Sequence, residues 1–167
     1  MSKFKNTFRI ESARLKEWDY SNPWYYYVTI NTKNHIHHFG KVENEKMILN
    51  DLGSIVESEW LKTKLLRTNV ELDYFVVMPN HFHGIIIING SEPVADVNER
   101  RDVARYVSTK KKNYSEISPT ANSLSAVIRS FKSAVSKRIH ELGYFGFSWQ
   151  PRFYDRIIRN EKELYNI

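Results

Sequence analysis

Two histidines one residue apart, His81-Phe82-His83, are the residues of this 167-residue chain best placed for chemistry. On an extended strand successive side chains point to opposite faces. His81 and His83 would then project to one side, and Phe82 to the other, where it can pack beneath helices. Side by side, the two rings can reach one divalent ion. A pair of neutral imidazoles leaves such an ion incompletely coordinated, so further ligands must come from another element. The spacing alone also fits a plainer reading, two solvated histidines on an exposed strand face. His35-Ile36-His37-His38 offers a second pair at the same spacing. It runs from Thr29–Lys33 into a predicted turn and reads as surface histidines. The chain has no cysteine, which excludes disulfides and thiolate ligands and leaves His, carboxylate or amide groups to hold any metal.

Charge points toward anionic partners without naming one. Lys and Arg number 25 against 19 Asp and Glu, a formal net charge of +6, and nucleic acid is the commonest partner of such a surface. Arg129, Lys132, Lys137 and Arg138 share one predicted helix face that could follow a phosphate backbone, although any solvated helix shows the same pattern. Arg100-Arg101 and Lys110-Lys111-Lys112 have the composition of a DNA-contacting arm or of a solvated loop. Trp149, Phe153 and Tyr154 could stack on unpaired bases or pack in a core. The N-terminus has no apolar run like a signal-peptide core and no segment is long enough to span a bilayer, so a cytoplasmic protein with no membrane partner is expected.

The elements that must position these groups follow from hydrophobic period. Trp24–Ile30, aromatic and β-branched, reads as a central strand. From Asn44 to about Leu66, apolar residues including Ile48, Leu52, Ile55, Val56 and Trp60 recur at helical spacing. Val70–Val77 and Phe82–Ile88 read as strands paired antiparallel about Met78-Pro79-Asn80. Residues 91–122 are polar and charged and read as a flexible insertion, with Asp102–Tyr106 as a helical turn within it. Ser123 caps a second helix that ends at Gly143. Tyr144–Trp149 reads as a short edge strand or extended segment, and helical character returns from Glu161. Together these predict one domain over 1–167. Its class is α+β, an antiparallel sheet of four to five strands with two main helices on one face, related to ferredoxin-like folds.

The run Tyr74-Phe-Val-Val-Met-Pro-Asn-His-Phe-His-Gly-Ile-Ile-Ile-Ile88 resembles the signature of the REP-associated tyrosine transposases, relatives of the single-tyrosine HUH transposases of small insertion sequences. Tyr26–Lys33 with Phe39-Gly40 is similar to that family's first strand and following turn. Ser125–Val135 is similar to its second helix, and Trp149–Asn160 to the segment before its catalytic helix. The resemblance implies an RRM-like HUH fold and cleavage and rejoining of single-stranded, hairpin-forming repeat DNA. It also implies a divalent ion, Mg²⁺ or Mn²⁺, on His81 and His83 and attack by a tyrosine to give a 5′-phosphotyrosine. Such chemistry is physically coherent, since a metal stabilises charge on phosphate oxygens and a covalent intermediate conserves the phosphodiester for rejoining. Single-tyrosine relatives often work as dimers with sites shared between chains, while the REP-associated branch need not, so the resemblance leaves both a homodimer and a monomer open.

One part of the family pattern is absent. Its nucleophile lies in a C-terminal Tyr-Ile-x-x-Asn-Pro sequence, whose asparagine is the third metal contact, and alignment would set that tyrosine just beyond Ile167. Within the chain, Tyr154 is the candidate nucleophile, with Tyr165 behind it. Gln150 and Asn160 are candidates for the third contact, and Arg129, Lys132, Arg152 and Arg156 for DNA. The alternative is a truncated, cleavage-deficient protein that binds DNA hairpins as a remnant or repressor.

Overall fold

The computed structural model describes residues 3–4, 7–8, 15, 17–90 and 122–166. In chain order the elements are β1 (Lys3–Phe4), β2 (Thr7–Phe8), β3 (Trp24–Asn31), a 3₁₀ turn (Lys33–His35), β4 (Gly40–Glu43), β5 (Lys46–Leu49), α1 (Asp51–Leu66), β6 (Val70–Met78), β7 (His81–Ile88), α2 (Leu124–Glu141), β8 (Tyr154–Ile157) and α3 (Glu161–Tyr165). β6, β7, β3 and β8 lie side by side in that order in one antiparallel sheet; β1–β2 and β4–β5 are small separate hairpins. The α+β class, the central strand and the hairpin around Pro79-Asn80 are as the sequence predicts.

β3 shows how the sheet divides the molecule. Its Tyr26, Val28 and Ile30 are fully buried beneath the helices, while Tyr25, Tyr27, Thr29 and Asn31 alternate onto the opposite face. On the helix face Trp60 of α1 meets Phe82 of β7 at 4.6 Å and Phe131 of α2 at 5.2 Å between ring centroids. Burying each such side chain contributes about 1.5–3 kcal/mol. Phe82, fully buried, thereby pins the strand on which the histidines stand. Glu59 of α1 ties the helices together, accepting from Arg138 of α2 and from Lys62, both at 2.7 Å. Burial pushes its carboxyl up, but these two cationic partners outweigh that and hold it below the ordinary value.

Gly84 makes this packing possible. It lies opposite Val28 and Phe75 on the helix face, and a Cβ there would come within 2.7 Å of Trp60 Cζ2 and 2.9 Å of the Phe82 ring. Gly84→Val is therefore expected to lower stability by about 1–3 kcal/mol through overpacking, read as a reduced urea midpoint; an unchanged midpoint would contradict this account of the Trp60 seat.

Two predicted elements are corrected. The helix expected from Asn44 starts only at Asp51, capped by Asn50, whose Oδ1 accepts from Gly53 N at 3.0 Å. Ile48 belongs instead to β5, because Asn44 and Glu45 both take left-handed conformations (φ 51° and 62°) and close a two-residue hairpin with β4. Tyr144–Trp149 forms turns with a single bridge, Trp149 to Thr32, and the edge strand is β8. The second helix matches its prediction, with Ser123 as cap and Gly143 at φ 89° just after its end, although Leu142 is exposed. The predicted insertion, with Arg100, Arg101, the Asp102–Tyr106 turn and Lys110–Lys112, lies outside the described residues except for Asn122. Among the described residues no helix is long and apolar enough to cross a membrane.

Candidate metal centre

β7 carries His81 and His83 on the sheet face away from the helices, both half-buried, with ring centroids 4.6 Å apart and planes near perpendicular. The two rings face one way, as strand alternation requires. Each Nδ1 is engaged: His81 Nδ1 lies 2.7 Å from Asn80 Oδ1, and His83 Nδ1 lies 2.7 Å from the Tyr27 hydroxyl and 2.9 Å from Thr29 Oγ1. Tyr27 also stacks on His83, rings 5.4 Å apart and 14° from parallel. Burial pushes both imidazoles below their ordinary value, and a neighbouring imidazole, His35 for His81 and His81 for His83, pushes the same way. Both rings are therefore neutral at neutral pH, as a metal ligand must be.

This donor set fits a divalent ion. A neutral imidazole whose Nδ1 donates to a neighbour has Nε2 free to coordinate. Asn80 Oδ1 favours that tautomer for His81, and the Tyr27 and Thr29 hydroxyls permit it for His83. Such hydrogen bonds hold ligating histidines in place. Imidazole pairs suit Mn²⁺ better than Mg²⁺, which prefers oxygen ligands and keeps its waters. Among the described residues no third His, Asp or Glu joins the pair, so the remaining positions fall to amides, hydroxyls, water or substrate oxygens.

Cross-strand register locates the other candidates. Asn31 stands directly opposite His81 and Thr29 opposite His83; on the far side of β3, Thr29 faces Tyr154 and Tyr27 faces Arg156. Tyr154 thus shares the open face with His83, two strands away, which at the spacing of a sheet is about 10 Å. Its ring is exposed, as is Arg156. Gln150 donates its backbone N–H to Asn31 O at 2.9 Å, so it flanks the residue that faces His81. Asn160 lies at the other end of the sheet, where its Oδ1 caps α3 by accepting from Glu163 N at 2.9 Å. Tyr165 is on α3, exposed.

The basic residues separate into distinct places. Arg152, at φ 75°, is in the turn leading into β8. Lys132 donates to the carbonyls of Gln150 (2.7 Å) and Arg152 (3.0 Å), tying α2 to that turn, and burial pushes its ammonium below the ordinary value. Arg129 is exposed on α2, in the helix layer across the sheet from the histidines. Arg138 is engaged by Glu59 and by Ser58 Oγ at 2.8 Å rather than standing as an open phosphate contact.

His35 and His37 are exposed, as the surface reading of that string expects, whereas His38 is half-buried and packs edge-on against the buried Phe147. Sequence reasoning missed Tyr27, Thr29, Asn31 and Asn80. Strand alternation about Tyr26, Val28 and Ile30 sets the first three on the opposite face of β3, but only the register of β3 on β7 brings them beside the histidines.

No protein-family model matches the chain. An uncharacterized protein of Haemophilus influenzae is 32% identical over 159 residues, which span 93% of this chain and 82% of that protein. Among solved structures, a REP-associated tyrosine transposase bound to a REP hairpin matches with a TM-score of 0.55 at 19% identity, over 95% of this chain and 67% of that one. At that identity the likeness is one of fold.

Proposed function

Because the chain belongs to one family with the uncharacterized Haemophilus influenzae protein and has a transposase-like fold, we propose that it is a transposase-type protein that binds hairpin-forming single-stranded DNA and cuts and rejoins it on the open sheet face. The observation that carries this reading is the His81–His83 pair, with Nδ1 of each ring engaged and Nε2 left to coordinate, on the same face as Tyr154 and Arg156. The hairpin as ligand follows from what the similar transposase is bound to.

A divalent ion held by His81 and His83 would withdraw charge from the non-bridging oxygens of the scissile phosphate. The chain's own groups do the rest. Arg156, and Arg152 from the turn before β8, supply positive charge for the strand's phosphates. Tyr154 Oη attacks phosphorus; an O–P bond to the tyrosine forms as the P–O3′ bond breaks, the phenolic proton is lost, and the departing 3′ oxygen takes up a proton. Reversal by the 3′ hydroxyl of the same or another strand rejoins the DNA, with no external energy source.

The test is to incubate the full chain with labelled hairpin DNA carrying single-stranded flanks, with Mn²⁺, and to resolve products under denaturing conditions. A protein–DNA adduct abolished by chelation is expected. Affinity should also fall with salt, two arginine contacts alone giving a log–log slope of about −1.4. Salt-sensitive hairpin binding without an adduct would instead establish a cleavage-deficient DNA-binding protein, and the absence of salt-sensitive binding would overturn the proposal.

A further inference from the structure

We infer that Asn80 is a positioning residue that holds His81 in one tautomer, with the proton on Nδ1 and the lone pair on Nε2. The inference deepens the reading of His81 as a ligand and rests on it.

A side-chain amide has two ends, and the surroundings of Asn80 settle which is which. Asn80 Nδ2 lies 3.1 Å from His35 O; a carbonyl oxygen only accepts, so the nitrogen end must face it. The oxygen end then faces His81 Nδ1 at 2.7 Å. An amide oxygen also only accepts, so the ring nitrogen has to donate. A neutral imidazole carries one N–H, and with it on Nδ1 the lone pair is left on Nε2. The His35 carbonyl, the Asn80 amide and the His81 ring form a relay whose polarity runs one way. The opposite tautomer would set two lone pairs face to face across 2.7 Å.

The backbone around Asn80 is secured independently of this side chain. Thr32 N donates to Asn80 O at 2.9 Å, the Thr32 hydroxyl is shared between Asn80 O (2.9 Å) and Ile36 O (2.8 Å), and His38 and Phe39 N–H groups donate to Pro79 O at 2.9 and 3.0 Å. The 3₁₀ turn that brings the His35 carbonyl to Asn80 passes through left-handed conformations at Asn34 (φ 56°) and His35 (φ 54°). His83 is treated differently, because the hydroxyls of Tyr27 and Thr29 can each donate or accept and so dictate neither tautomer. Of the two rings, only His81 has its proton assigned by its neighbour.

Two variants separate this role from a merely structural one. Asn80→Asp keeps an acceptor for Nδ1–H but loses the donor to His35 O; Asn80→Ala loses both. Imidazole ¹⁵N spectra of the metal-free protein, taken well above the imidazole titration range, should show His81 protonated on Nδ1 in the wild type and in Asn80→Asp, and mixed in Asn80→Ala. Mn²⁺ affinity should fall about 10–100-fold in Asn80→Ala and be largely restored in Asn80→Asp. An Nε2-protonated His81 in the wild type overturns the inference whatever the variants do. So does an Asn80→Asp protein as impaired as Asn80→Ala, which would make the loop tie, not the tautomer, the relevant contact. Failure of the wild type to bind Mn²⁺ would count against the proposed function, while the metal-free spectrum still decides the tautomer.

Discussion

Replacing His81 or His83 by alanine is expected to abolish Mn²⁺-dependent adduct formation, by at least about a thousandfold, while leaving hairpin binding and the fold in place. The magnitude follows from the ion's task, since neutralising charge on a phosphate in the transition state is worth several kcal/mol and each ~1.4 kcal/mol is tenfold in rate. The selectivity follows from geometry. Both rings are half-buried on the face away from the Trp60–Phe82–Phe131 core, so neither substitution opens a cavity in that core. His37→Ala, outside the site and exposed, serves as the control and should change nothing. The pH dependence has a definite sign. Burial holds both imidazoles below 6.5, so protons compete with the metal only beneath that value. Mn²⁺ affinity should therefore be flat through neutral pH and decline as pH falls further; a decline starting above neutrality would contradict this environment for the pair.

Tyr154→Phe is expected to eliminate the covalent adduct with stability unchanged to within about 0.5 kcal/mol, because the ring is exposed and the substitution removes only its hydroxyl. DNA binding should survive, since the aromatic face and Arg156 remain. The alternatives give different results. If Tyr27 were the nucleophile, Tyr27→Phe would remove the adduct and also disturb His83, whose Nδ1 its hydroxyl contacts at 2.7 Å; if Tyr165 were, only its phenylalanine variant would do so. An adduct that persists in Tyr154→Phe removes Tyr154 from the mechanism.

The histidine pair was legible in the sequence because a strand's period of two is a local property: once Phe82–Ile88 is read as extended, His81 and His83 must share a face. What surrounds them was not. Asn31, Thr29 and Tyr27 reach the site through the pairing of β3 with β7, some fifty residues apart in the chain, and no local pattern specifies that register. The same limit explains Arg138, which shares a helix stripe with Lys137 and looks like a solvated cation until Glu59, on another helix, takes it up. The start of α1 was misplaced because Ile48 happens to continue its 3.6-residue spacing, and the hairpin turn at Asn44-Glu45 lacks the glycine that usually signals one. β8 went unseen because four residues after a proline, Tyr154–Ile157, give alternation too little length to register.

Electron spin-echo spectroscopy of Mn²⁺ bound to the protein counts the imidazole nitrogens at the metal. Two are predicted for the wild type, one for either single alanine variant at saturating Mn²⁺, and phosphorus coupling should appear when single-stranded DNA is added. A wild-type spectrum with no imidazole nitrogen, or one that His81→Ala and His83→Ala leave unchanged, would contradict the metal centre and the DNA-cleaving role built on it.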